Sequence, residues 1–380
     1  MNTAAPGKNH PQLGDLDCQF EEIIERRWIE TTIRHQLNGK IGRGRQGIVF
    51  QTSRLGSRNC QTSHALKLFD PRIYDSADDY WIDMGRISTQ VSHLHATRSP
   101  HLVNCDFYEE TERIGFVQME RIDGIDLSGF LSSARHRPPG NNDIFFNLYN
   151  GRPCVQPGVA IYIMRQILAG LETLHSAGYL HCDIKPSNIM IDPLGYVRVI
   201  DLGRAQRIGE SEPLRIGTPH YAAPELHSGE PATVQSDLYS VGLIGLELLT
   251  GQKVFPERHP SGSSLTRRKR SLLDHLRRYL PPYVRCNQEL VSILKRFLAP
   301  EPEDRFTSAA RAEICGGGLA TVHKQLTRMN IDSDYRRDLH HLLHHQRGVI
   351  PEFPGLLLPS QRKRSTAKPP LSSPPPSTRL

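Results

Sequence analysis

The sequence predicts an α+β fold, and three stretches carry that expectation. From Leu37 to Phe69 the chain has strand texture, LNGKIGRGRQGIVFQTS and then HALKLFD, with glycines where it must turn. Gly158 to His175 instead places Ile163, Ile167, Leu171 and Leu174 at helical spacing and stops at Ala177-Gly178. Between these types lies Tyr179–Gly203, YLHCDIKPSNIMIDPLGYVRVIDLG. There Ile189 and Ile191 face Val197, Val199 and Ile200 across a turn at Asp192-Pro193-Leu194-Gly195, the pattern of a short hairpin.

The chain has 380 residues, room for one large two-lobed domain with tails or for two ordinary domains. At 37% hydrophobic and 23% charged it has the composition of a soluble globular protein with flexible ends. The net charge of +7 gathers in runs such as Arg267-Arg268-Lys269-Arg270 and Arg362-Lys363-Arg364. No aromatic residues interleave them, so solvated faces are expected and nucleic acid is not. Seven cysteines stand at 18, 60, 105, 154, 182, 286 and 315 without a C-x-x-C pair, as in a protein of reduced thiols. No apolar run approaches the ~18 residues of a membrane span. The best, Val241 to Leu249, holds Glu247 and two glycines and reads as a buried helix. The opening MNTAAPGKNHPQ lacks the regions of a signal peptide and has no glycine at position 2. A cytoplasmic protein without a membrane span is expected.

Taken in order, residues 1 to 36 form an N-terminal extension with a helical candidate at Phe20–Thr32. Next comes Gly42-Arg43-Gly44-Arg45-Gln46-Gly47-Ile48-Val49, a G-x-G-x-x-G-x-V whose glycines allow backbone amides to approach phosphate oxygens. A dinucleotide fingerprint would continue into a helix, but Ile48 to Thr52 is β-type, so the unit reads strand–loop–strand. Lys67 follows on an apolar strand, and Asp78 to His95 carries Ile87, Val91 and Leu94 on one helical face. Arg135 to Pro157, rich in Pro, Asn and Gly, reads as a surface insertion. In the hairpin stretch, folding back brings Asp201 beside Asn188, so two oxygens suited to Mg²⁺ face one point. Asp183 and Lys185 precede it, where a hydroxyl and a phosphate can meet. Residues 316–358 read as a helical appendage and 359–380 as a disordered Pro/Ser/basic tail. His340, His341, His344 and His345 have helical spacing, yet without an accompanying Cys or acid pattern they read as a polar face.

H-C-D-I-K-P-S-N followed by D-L-G resembles the catalytic loop and metal-binding motif of eukaryotic-type serine/threonine protein kinases. The resemblance spans about 37–315, with motifs in the family's order. It implies the two-lobed protein-kinase-like fold, a small β-rich lobe at about 37–120 and a larger, mainly helical lobe at about 121–315. ATP would lie between them, cradled by Ile41, Gly42, Gly44, Gly47 and Val49 and paired with Lys67. Val117–Gly124 resembles the inter-lobe hinge, with Met119, Glu120 and Ile122 at the adenine and Asp126 at the ribose. Asp183 would orient the proton of the substrate hydroxyl, Lys185 neutralise the moving phosphoryl, and Asn188 and Asp201 hold Mg²⁺. Thr218, ahead of Ala223-Pro224-Glu225, resembles the serine/threonine branch, in which it bridges the catalytic Asp and Lys. Asp237 would hold the catalytic-loop backbone, and Arg305 would pair with Glu225. The implied activity is ATP-dependent phosphorylation of protein Ser/Thr hydroxyls; the alternative is a nucleotide-binding pseudokinase acting as scaffold or regulator.

Two departures from the family stand out. The helix glutamate that pairs with the strand lysine has no counterpart: Gln90 takes its place, able to hydrogen-bond Lys67 but not to neutralise it, and Asp83 lies two turns away. Cys182 replaces the arginine that docks a phosphate on the segment from Gly203 to Gly217, which argues against control through Ser211, the only hydroxyl there.

Overall fold

The computed structural model describes residues 13–31, 34–136, 146–210, 218–256, 263–314, 316–328 and 334–346. Helix α1 (Leu13–Arg26) buries Leu16, Phe20 and Ile23, one helical face. It ends where Arg27 takes φ 60, and β1 (Trp28–Glu30) turns back to pair with β2 (Arg34–Arg43). The helix expected at Phe20–Thr32 is thus corrected on both sides. Its apolar spacing extends upstream to Leu16, while Trp28 and Ile29 belong to the sheet, which begins before Leu37.

Strands β3 (Gly47–Leu55), β4 (Gln61–Phe69), β5 (Cys105–Thr111) and β6 (Ile114–Glu120) complete an antiparallel sheet of order β1-β2-β3-β4-β6-β5. Across it runs α2 (Ala77–Leu94), the helix expected at Asp78–His95. Ser76 accepts from Asp79 N at 3.1 Å, and Asp78 and Asp79 suit the positive end of the helix dipole. Its buried face includes Ile87, Gln90, Val91 and Leu94.

After the linker, β7 (Ile125–Asp126) and α3 (Leu127–His136) open the second lobe. The segment read as an irregular insertion contains a hairpin, β8 (Phe146–Tyr149) with β9 (Arg152–Val155); residues 137–145 lie outside the described residues. Helix α4 (Pro157–Ser176) starts on a proline, whose missing N–H costs nothing there, and stops before Gly178 at φ +84. It is followed by β10 (Tyr179–Leu180), β11 (Ile189–Ile191), β12 (Val197–Val199) and β13 (Gln206–Arg207).

The β11–β12 hairpin forms with Ile189 opposite Val199 and Ile191 opposite Val197. Asp192 Oδ1 accepts from Leu194 N and Tyr196 N, and Gly195 supplies φ +82. Helix α5 (Val234–Thr250) is boxed at Thr233/Ser236 and buried from Ser236 to Thr250, which makes it the axis of the lobe. The lobe is completed by α6 (Ser263–Arg270) on α7 (Leu272–Tyr279), by α7 and α8 (Pro282–Arg285) on α9 (Gln288–Phe297), by α9 on α5, and by α10 (Ala309–Glu313) on α4.

Beyond these, α11 (Leu319–Arg328) and α12 (Tyr335–Gln346) pack on α4, and residues 329–333 and 347–358 lie outside the described residues. His340 Nδ1 contacts the carbonyl of Pro193; the side chains of His341, His344 and His345, and the tail 359–380, lie outside the described residues. No described helix is long and apolar enough to cross a membrane.

Candidate active site

The loop between β10 and β11 is shaped by one carboxylate beneath it. Asp237, on α5, accepts from the backbone amides of His181 (2.8 Å) and Cys182 (2.9 Å) and from His175 Nε2 (2.9 Å). Burial alone would raise its pKa, but the hydrogen bond and charge of His175, with His181, outweigh this and hold it ionised. These bonds fix Cys182 at φ 63, a left-handed backbone that costs a non-glycine residue about 1–3 kcal/mol. Burial pushes the Cys182 thiol well up, so it is an inert neutral group.

Past that kink the candidate side chains converge. Lys185 Nζ donates to Asp183 Oδ2 at 2.6 Å and to Thr218 Oγ1 at 3.1 Å, while the Thr218 hydroxyl donates to Asp183 Oδ1 at 2.9 Å. Asn188 Nδ2 donates to the Asp183 carbonyl (2.8 Å) and to Oδ2 (3.2 Å). A small concavity beside Asp183 is lined by Thr218, Tyr221, Ala222 and Ser236.

Asp201 sits at φ 63 just past β12, held near Asn188 by the bond from Ile200 N to the Asn188 carbonyl at 2.9 Å. Its Oδ1 lies 2.6 Å from Lys67 Nζ. Burial would raise the Asp201 carboxyl, but the charge and hydrogen bond of Lys67 overcome it and hold the group down to about 2. With Asn188 Nδ2 and Asp201 Oδ1 engaged, the Asn188 amide oxygen and Asp201 Oδ2 are the oxygens left for a cation. Among the described residues no cluster of three or more His, Cys, Asp or Glu is poised for a metal. That donor set fits Mg²⁺, which takes one or two protein ligands and completes its shell with phosphate and water.

The glycine-rich turn between β2 and β3 lies above Lys67. At Gly47 a Cβ would meet the Leu68 carbonyl at 2.0 Å, so β4 itself requires the glycine. Gly42 and Gly44 have nothing closer than 4.0 Å, leaving room that the protein does not use for its own packing. Ile41 is exposed and Val49 half-buried. At the other edge, the Glu120 carboxylate is committed to Asn104 N (2.9 Å) and Arg198 (2.8 Å), pinning β6 to β12. Asp126 Oδ1 accepts from Gly129 N at 2.9 Å at the start of α3, a structural bond beside the ribose assignment. Met119, on β6, and Ile122, on the linker after it, are half-buried.

Gln90 departs from expectation. It does not bond Lys67: its Nε2 donates to the Leu202 carbonyl at 2.5 Å, and Arg86 donates to the carbonyls of Gly203 (2.7 Å) and Ala205 (2.8 Å). Helix α2 therefore docks on the backbone after Asp201. Lys67 takes its second acceptor from the glycine-rich turn, where Gln46 Oε1 lies 3.0 Å away. Sequence reasoning missed Gln46 and Arg86. The only signal was a long amide between Gly44 and Gly47, where the glycine pattern leaves the residue type open. In the lobe core Arg305 and Glu225 pair at 2.7 and 2.8 Å. Ser211 to Gly217 lie outside the described residues.

The model of the protein kinase domain matches residues 35–315. Serine/threonine-protein kinase D3 of Homo sapiens is 28% identical over 66% of this chain and 26% of its own length. Serine/threonine-protein kinase PknD of Mycobacterium tuberculosis is 27% identical over 77% of this chain and 40% of its own. The chain thus spans well under half the length of these relatives. The crystal structure of the Mycobacterium tuberculosis PknI kinase domain superposes with a TM-score of 0.52 at 19% identity, covering 77% of this chain and 95% of that one, which shows the shared fold. With a domain match over well over half its length, on a fold of an antiparallel-sheet lobe and a mainly helical lobe, the chain belongs to the protein kinase family.

Proposed function

We propose that this chain is a serine/threonine protein kinase that transfers the γ-phosphoryl of ATP to a Ser or Thr hydroxyl of a protein substrate. Protein kinases use ATP and, in general, Mg²⁺. The observation that carries the reading is the closed triangle of Asp183, Lys185 and Thr218. A short hydroxyl entering beside Thr218 meets Asp183 as proton acceptor and Lys185 as counter-charge to the transferring group. Asn188 and Asp201 are the residues that would hold Mg²⁺, which spreads the charge developing on the phosphate oxygens. Lys67 would pair with the non-transferred phosphates under Gly42, Gly44 and Gly47, between Ile41 and Val49. Met119, Glu120 and Ile122 would meet adenine through backbone groups and side-chain stems, and Asp126 Oδ2 would face the ribose. Little covalent chemistry is asked of these groups; positioning and charge supply the rate.

A nucleotide-binding scaffold would have no use for three polar side chains held this closely, which disfavours that alternative. The reduced cysteines suit a cytoplasmic setting. The test is transfer from γ-labelled ATP to peptides whose only hydroxyl is Ser, Thr or Tyr. Wild type should label the first two, and Asp183→Asn should fall by about 10²–10⁴. Equal labelling by both proteins, or labelling confined to Tyr, overturns the reading.

A further inference from the structure

Lys67 has two acceptors, and only Asp201 is accounted for by the chemistry above. The second, Gln46 Oε1, comes from the tip of the glycine-rich turn at 3.0 Å, and the Gln46 amide nitrogen donates to the Gly203 carbonyl at 3.0 Å. One neutral side chain thus ties the turn to the strand lysine and to the residue two beyond Asp201. Its burial is selective: Gln46 is 8% exposed, while Arg43, Gly44 and Arg45 beside it are exposed. The backbone carbonyl of Gln46 accepts from Asp70 N at 3.0 Å, which anchors this end of the turn to the end of β4. From the opposite side Gly203 makes the space: a Cβ there would lie 2.4 Å from Gln46 Oε1 and 2.7 Å from Lys67 Nζ.

We propose that Gln46 is a positioning residue for phosphoryl transfer, holding Lys67 in place of the carboxylate that α2 does not provide. The proposal rests on the kinase reading of this site. Its logic is electrostatic. An ammonium has three donors and needs acceptors to fix its direction. A helix carboxylate would orient Lys67 but also offset much of its charge. The amide orients the amine and leaves that charge available to phosphate oxygens. Helix α2 contributes from a distance, through Gln90 and Arg86 on the carbonyls of Leu202, Gly203 and Ala205. The division of labour is therefore that the turn holds the lysine and the helix holds the loop after Asp201.

Two variants separate bonding from packing: Gln46→Ala removes the side chain, and Gln46→Met keeps its length without the two hydrogen bonds. Both should raise KM for ATP about tenfold while kcat changes less, the loss expected for a hydrogen bond to a charged group. Independently of activity, acetic anhydride labelling of the nucleotide-free protein, read by mass spectrometry of the Lys67 peptide, should run several-fold faster in both. A KM at or below the wild-type value in Gln46→Ala would make the side chain a plug that ATP displaces and overturn the proposal. Unchanged labelling of Lys67 would overturn it as well. Because labelling needs no transfer, it still decides the role of Gln46 if the wild-type chain phosphorylates nothing.

Discussion

Arg305 and Lys67 are both buried cations facing one carboxylate, and the protein treats them in opposite ways. Arg305 is 1% exposed and uses its full donor set: both Glu225 oxygens and the carbonyls of Gln235, Ala299 and Pro300. Ser236 Oγ adds a bond to Glu225, and the guanidinium lies 4.8 Å from the Tyr239 ring centroid. Lys67 is equally buried, but Asp201 keeps a third of its side chain open to the cleft, and the pair joins two lobes instead of one core. A pair closed to water on all sides is a fastening. A pair with one open partner can exchange it, and Asp201 is the group expected to turn to a metal.

The largest effect should follow from breaking the closed pair. Glu225→Gln leaves the Arg305 charge buried with only neutral partners, at a cost of about 3–5 kcal/mol. Urea unfolding should show the midpoint falling with an unchanged slope. A loss under ~1 kcal/mol would mean that the carbonyls alone hold Arg305, and the contrast between the two pairs would fail.

The open pair should cost less and matter more. Asp201→Asn would be expected to leave the fold untouched if the residue served only a metal. Its bond to Lys67 revises that expectation. Asn can still accept from the amine, Gln46 remains, and water reaches the carboxylate side, so without nucleotide the loss should be on the order of 1–2 kcal/mol. Phosphoryl transfer, in contrast, should disappear into background. Melting temperatures of Asp201→Asn and Glu225→Gln, measured side by side without nucleotide, sharpen the comparison; equal drops would make Asp201 as structural as Glu225.

What could be read from sequence follows the range of each interaction. The hairpin was legible because its partners lie within a few residues, and the Asp192 turn needs only its own side chain and Gly195. The Asp183–Asn188 loop, shaped from Asp237 and Thr218 far along the chain, was legible through the family's motif order. Arg305 and Glu225 are 80 residues apart yet were legible through the family's motif order. The partner of Lys67 was not. Which residue α2 presents follows from helical register, but how far Gln90 sits from the amine depends on how the helix seats on the sheet. Arg86 and Gln90 seat it on backbone carbonyls, which carry no residue identity in sequence. The first helix failed for a related reason: Trp28 and Ile29 suit either a helix or a strand, and their pairing with His35 and Gln36 decides for the strand.

The smallest effect is a pH dependence confined to the open pair. Asp201 is held down to about 2 in the folded protein, against about 4 for an unperturbed aspartate in the unfolded chain. Between those values the unfolded chain binds more protons, so this group's contribution to stability rises with pH through that window. It is complete above about pH 5 and lost as pH falls toward 2. The Asn variant lacks the titration. The stability difference between wild type and Asp201→Asn, measured in urea without nucleotide or Mg²⁺, should therefore be full at pH 6 and shrink by about half or more near pH 3. Other carboxylates titrate in both proteins and cancel in the difference. A gap that stayed constant from pH 6 to pH 3 would mean that Lys67 does not depress this carboxylate, and that the open pair contributes through shape instead of charge.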